Sequence, residues 1–200
     1  MRKTRGEPAV TVVAAEKSAR QRILETATDL FYREGIRAVG IDTIIARSGV
    51  AKMSLYRNFA SKDDLVVAFL EYRNEIYWQW WDHVMTAHPD EPRQQISDLF
   101  ASLTRRVTSP LYRGCPFINT STEFPDPAHP ARALCLANKQ ELRRRLKGLA
   151  RGAGARDPES LADQLLLLME GGYASAQNFR ARGPAPSLRG AAEALLAAQL

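Results

Sequence analysis

Apolar residues recur along this chain at helical spacing, and no segment sustains the every-other-residue alternation of a strand. Ile23, Ala27, Leu30 and Phe31 fall at i, i+4, i+7 and i+8, Leu24 widens the stripe, and Gly35 follows. Such spacing puts all of them on one face of a helix of about five turns, with glycine as its C-terminal stop. A shorter set, Ile41, Ile44, Ile45 and Ser48, ends at Gly49, after which Leu55, Tyr56 and Phe59 form a second short piece starting at Ala51. Ser61 with Asp64 three residues on makes a capping-box-like start to a long fourth helix, carried by Leu65, Phe69, Tyr72 and Ile76 through Trp80. Pro89 and Pro92 bracket a break, and Ile96, Leu99, Phe100, Leu103 and Val107 read helical until Pro110. The segment 111–130 differs in kind, with glycine and prolines among aromatics and room for a short helix at 119–123. Periodicity resumes over 131–150. Asp157-Pro158 then gives an N-cap and a first-turn proline for a helix to Phe179, and an alanine-rich helix runs from about 187 to 200. The expected fold class is all-α.

Composition narrows the function classes. With 200 residues, 45% of them hydrophobic and 25% charged, the chain can bury a real core in one larger domain or two small ones. Large multidomain enzymes and collagen-like, mostly disordered or low-complexity chains are excluded. No apolar run approaches the roughly 20 residues of a membrane span, and the N-terminus lacks a signal-peptide core, so a cytoplasmic protein with no membrane partner is expected. The 2 cysteines, Cys115 and Cys135, are too few for a disulfide scaffold, and neither they nor His83, His88 and His129 fit a metal-binding spacing. No metal and no cofactor are expected. The net charge of +6 favours polyanionic partners, and it concentrates at the front: residues 1–64 hold 12 Lys and Arg against 8 Asp and Glu.

A support helix, then a short helix, a glycine turn and a second short helix, with a basic surplus, is the order a helix-turn-helix DNA reader requires. In that reading Lys52, Met53, Ser54 and Arg57 face the groove while Leu55 and Phe59 turn inward. Lys52 and Arg57 reach guanine edges, Ser54 either base type, and Met53 a thymine methyl. Thr43, Tyr56, Asn58 and Lys62 stand where a hydroxyl, amide or ammonium would meet phosphates. Periodicity and charge alone leave a second reading open, in which Gly49-Val50 is merely a bundle turn and the basic residues a solvated face.

Residues 22–70 resemble the N-terminal domain of TetR-family (AcrR-like) transcriptional regulators. The features that carry the likeness are Ile23 and Ala27 with Leu30-Phe31, Gly35 before a hydrophobic turn, the Gly49-Val50 elbow, Leu55-Tyr56 then Phe59, and Ser61-Lys62 with Leu65. Three positions depart from the pattern: Gly40 and Ala51 stand where side-chain caps are usual, and Ile45 where alanine is. Ala51 puts one phosphate contact in doubt. The segment 113–130 resembles one AcrR-like branch. The opening stretch carries Arg2, Lys3 and Arg5 without a sustained apolar period and reads as a flexible basic arm at 1–17, and the resemblance implies a helix-turn-helix domain at 18–63 and a helical ligand-binding and dimerisation domain at 64–200. It implies a homodimeric, ligand-responsive regulator, a repressor that a small-molecule effector releases from a palindromic operator in double-stranded DNA. No nucleophile elbow, phosphate loop or dinucleotide fingerprint supports an enzyme.

Within the C-terminal part, Leu161, Leu165 and Leu168 with Leu188, Ala192 and Leu195 give two apolar faces suited to a four-helix dimer seam, unless the protomer's own core consumes them. Trp78, Phe100, Cys115, Phe117, Asn119, Met169 and Tyr173 are the candidate effector contacts, though aromatic bulk is also the ordinary filling of helical cores. Two further readings stay open: Cys115 as a redox sensor with Cys135 as its partner, and a thiol-dependent helical enzyme.

Overall fold

The structure is a computed structural model that describes residues 17–200; the expected basic arm, 1–17, lies outside the described residues except for Lys17. Nine α-helices run through the described residues, with no strand among them: α1 (Ala19–Glu34), α2 (Ile41–Ser48), α3 (Lys52–Asn58), α4 (Lys62–Met85), α5 (Pro92–Val107), α6 (Pro116–Glu123), α7 (Pro130–Gly152), α8 (Pro158–Phe179) and α9 (Leu188–Gln199). The chain is all-α.

Local chemistry sets the helix ends. Ser18 and Gln21 satisfy each other's backbone amides in a reciprocal capping box, and Gly35, at φ 95°, stops α1 after about four and a half turns, a little short of five. The Asp157 side chain accepts from the Glu159 and Ser160 amides, with Pro158 in the first turn. The irregular segment holds a longer helix than 119–123 because Pro116 opens α6 at its first position, where a missing N–H costs nothing.

α1 packs on α2, α3 and α4, and Ile23, Ala27, Leu30 and Phe31 are all buried there. α4, about 36 Å long, leaves that cluster, where Phe31 meets Phe69 edge-on at 5.7 Å, to pack against α5, α6 and α7. Its buried face is not quite the one the spacing predicts. Tyr72 is exposed and Ile76 and Trp80 only half-buried, whereas Phe69, Tyr77, Trp81 and Val84 are buried. The stripe turns because α4 changes neighbours midway along, and Arg73 falls on it between Phe69 and Tyr77.

α7, α8, α9 and α5 close the second core. Four of the expected dimer-seam residues, Leu161, Leu165, Leu188 and Ala192, are consumed by it, with 0%, 0%, 4% and 0% exposure. α8 turns its two toward α7 and α9, and α9 turns its two toward α5 and α8, so Leu161, Leu165 and Ala192 have no surface left to offer a partner, while Leu188 only edges the groove between α8 and α9. Leu168 and Leu195 are half-buried, and Leu167 instead is open to solvent.

Candidate nucleic-acid interface

The reading helix begins after Gly49, whose φ of 65° and ψ of 25° make the left-handed turn that ends α2. Leu55 and Phe59 are buried and hold α3 against the support helix. The opposite face is open: Met53 is 71% exposed and Tyr56 43%, and Lys52, Arg57 and, on α2, Thr43 are exposed too. Two large apolar or aromatic side chains left in water on a seven-residue helix have no role in the protomer's packing. Lys52 leans to Asp42 at 3.6 Å, an exposed pair that water weakens and a phosphate or guanine can replace.

Three of the candidate DNA contacts are turned partly inward. Ser54 is half-buried. The Asn58 amide donates to the Ser54 carbonyl at 2.7 Å, closing the end of α3. Lys62 is half-buried with its ammonium 6.0 Å from the Phe31 ring centre, and desolvation lowers its pKa against the pull of Glu123 and Asp63.

The first three helices are tied to the C-terminal part by a set of polar contacts at the end of α1. The Tyr32 hydroxyl donates to the Gly114 carbonyl at 3.2 Å and accepts from the Arg113 amide at 3.0 Å. Arg113 Nε donates to the Arg33 carbonyl at 3.0 Å. From α6, the Glu123 carboxylate accepts from the Arg37 amide at 2.7 Å. All four bonds join the last turn of α1, or the loop after it, to the segment from Arg113 to Glu123.

The candidate effector contacts scatter. Cys115 and Tyr173 line one small cavity together. Asn119 is spent on structure: its amide donates to the Arg113 carbonyl and its oxygen accepts from Gln177 at 2.9 Å. Phe117 is buried edge-on to Tyr77. Phe100 and Met169 are fully enclosed, and Trp78 faces α7, where the Arg145 guanidinium covers it at 4.2 Å. Cys115 and Cys135 are both free and buried, and burial pushes the Cys135 thiol up, away from thiolate character. Among the described residues no helix is long and apolar enough to cross a membrane.

Residues 23–69 match the family described as bacterial regulatory proteins, tetR family, and residues 92–191 match the tetracyclin repressor-like C-terminal domain. The chain belongs to the TetR family. A TetR-family transcriptional regulator of Streptomyces coelicolor superposes with a TM-score of 0.86 at 32% identity, over 90% of this chain and 95% of that one. A second TetR-type regulator, from Streptomyces avermitilis, gives 0.76 at 31% identity, over 92% and 98%. The Escherichia coli HTH-type transcriptional regulator YjdC is 25% identical over 76% of this chain and 80% of its own length. This TetR-family member is therefore a DNA-binding transcriptional regulator and not an enzyme.

Proposed function

We propose that this TetR-family chain is a homodimeric repressor of the cytoplasm, released from a palindromic operator when a small molecule occupies its C-terminal domain. The observation that carries the reading is the hydrogen-bonded tie between α1 and the segment from Arg113 to Glu123. A shift in that segment must move α1, and α3 with it. An effector works by binding better to the arrangement whose recognition helices have the wrong separation, and it weakens DNA affinity only by that difference. Two-fold pairing is supported by a shallow apolar groove between α8 and α9, walled by Leu167, Leu168, Gly171 and Ala191, where small residues let a second copy approach closely. Lys52, Met53, Ser54 and Arg57 read bases; Thr43, Tyr56, Asn58 and Lys62 take the phosphates.

The test is selection of binding sites from randomised duplex DNA at about 0.15 M salt, where non-specific binding is weak. A two-fold-symmetric site should be enriched by the wild-type chain and not by a Lys52→Ala, Tyr56→Ala, Arg57→Ala variant. On that site Arg57→Ala should relax base preference, whereas Lys62→Ala should weaken all sequences alike and lower the salt slope by about 1. Equal behaviour of the two would overturn the division of roles, and no enrichment would overturn the regulator's proposed operator.

A further inference from the structure

The buried stripe of α4 carries a cation, Arg73, that has no ion-pair partner among the described residues. Arg73 stacks 4.5 Å over the Tyr32 ring, its Nε is enclosed without a hydrogen-bond partner, and burial lowers its pKa. From α5, Arg106 approaches the same region, its guanidinium 5.9 Å from the Tyr77 ring centre and 5.0 Å from that of Trp80. Among the described residues neither arginine forms an ion pair. Lys139, which reaches the Cys115 sulfur at 3.8 Å, is by contrast paired with Glu170.

Arg73 and Arg106 both line a cavity of about 20 Å³, together with Tyr77, Tyr112, Cys115 and Tyr173. Its polar atoms are in excess as donors. The Tyr112 hydroxyl is buried and unpartnered. Tyr77 and Tyr173 share one bond at 3.4 Å, so one of their two O–H groups is left to donate. A water molecule fits and could accept from these groups, but it brings no charge, and two half-enclosed guanidinium groups without a counter-ion are costly.

We propose that this cavity receives the carboxylate of a small organic acid, the effector of the regulator described above. A planar carboxylate has two oxygens and about four acceptor positions, which matches a pair of guanidinium groups with phenol donors between them. Tyr112 also walls an adjoining cleft of about 320 Å³ with Arg113, Gln177 and Arg180, large enough for the body of the acid. The Tyr112 ring, which walls both the cavity and the cleft, offers a flat, aromatic body a face to stack on. Occupation acts on DNA binding directly, because Tyr32, which packs under Arg73, is the residue that Arg113 and Gly114 hold.

The proposal rests on the C-terminal domain being the effector site, but its test does not need DNA. The full chain is titrated with benzoate, salicylate and phenylacetate, with the uncharged benzamide, salicylamide and phenylacetamide, and with inorganic phosphate, at constant ionic strength, and Trp fluorescence and calorimetry are read. At least one acid should bind saturably, once per protomer, and its amide at least about tenfold more weakly. Arg106→Gln and Arg73→Gln should each cost the acid about tenfold or more and leave the amide unchanged. Tyr112→Phe, which keeps the ring and so the packing, should cost several-fold and covers the case in which an arginine variant fails to fold. The proposal is overturned if no acid binds by about 10 mM, if acid and amide bind alike, if phosphate binds in preference to every acid, or if folded variants bind as the wild type does. Acid binding that leaves DNA affinity untouched would refute the repressor reading while sparing the site.

Discussion

Replacing Ala51 with serine should stabilise the protein, and the size of the gain can be worked from the geometry of α3. Ala51 is the N-cap of α3, at φ −68° and ψ 145°, the extended backbone that a capping serine adopts. Its carbonyl takes the Ser54 amide at 2.8 Å and the Leu55 amide at 3.2 Å, while the amides of Lys52 and Met53 precede the first of these bonds. The methyl group offers them nothing. Ala51 is exposed, so a hydroxyl can be added without repacking. Exchanging alanine for serine at an N-cap is worth about 1 kcal/mol. At seven residues, α3 is far too short to be stable by its own cooperativity, so the cap acts where the helix is weakest. For a chain of this size, about 1 kcal/mol corresponds to roughly 2–4 °C in Tm. The assay is paired thermal and urea denaturation at one protein concentration, since the proposed dimerisation would make Tm concentration-dependent. Hydrogen exchange of the α3 amides gives the local readout. Ala51→Val is the control, because valine cannot cap. A gain shared by valine, or no gain from serine at unchanged m, would refute the capping argument.

Two further outcomes are expected. Tyr32→Phe strips the Arg113 amide of its acceptor and the buried Gly114 carbonyl of its donor, so unfolding should become easier by about 1–3 kcal/mol; operator affinity measured by anisotropy should also respond less to effector, and an undiminished response would place the tie elsewhere. Glu141, held down to about 2 chiefly by the Arg144 guanidinium and then by Arg145, is depressed from an ordinary 4.5. A depressed carboxylate stabilises the fold in full above about pH 4.5, and that contribution is lost as pH falls toward 2. Glu141→Gln should therefore flatten the acid limb of the stability profile between those values, and an unchanged limb in acid titrations followed by circular dichroism would contradict the assignment.

The division of α3 into a buried and an open face was legible in the sequence because a seven-residue helix has few ways to divide itself. Leu55 and Phe59 go in, and Met53, Tyr56 and Arg57 stay out. The lining of the C-terminal cavity was far less so. Selecting aromatic and sulfur-bearing side chains in the C-terminal part picks out Phe100 and Met169, which are core, as readily as Cys115 and Tyr173, which line the cavity. Arg73, Arg106, Tyr77 and Tyr112 went unread. A signal for two of them was present: Arg73 lies four residues from both Phe69 and Tyr77, and Arg106 three beyond Leu103, so each is a charge set on an otherwise apolar stripe.

By itself the sequence determined the helices, their caps and the glycine elbow between α2 and α3, because these depend on neighbours within about four residues, whose spacing and hydrogen-bonding groups can be read directly. Only the tertiary structure decided the rest. The buried face of α4 turns where its neighbours change from α1 to α5, α6 and α7, and the leucines of α8 and α9 go into the protomer's own core because α5 and α7 reach them first. Arg73 and Arg106 come from helices separated by a proline-flanked turn, and their lining one cavity without a counter-charge among the described residues is a property of how α4 and α5 pack. No local pattern encodes that distance.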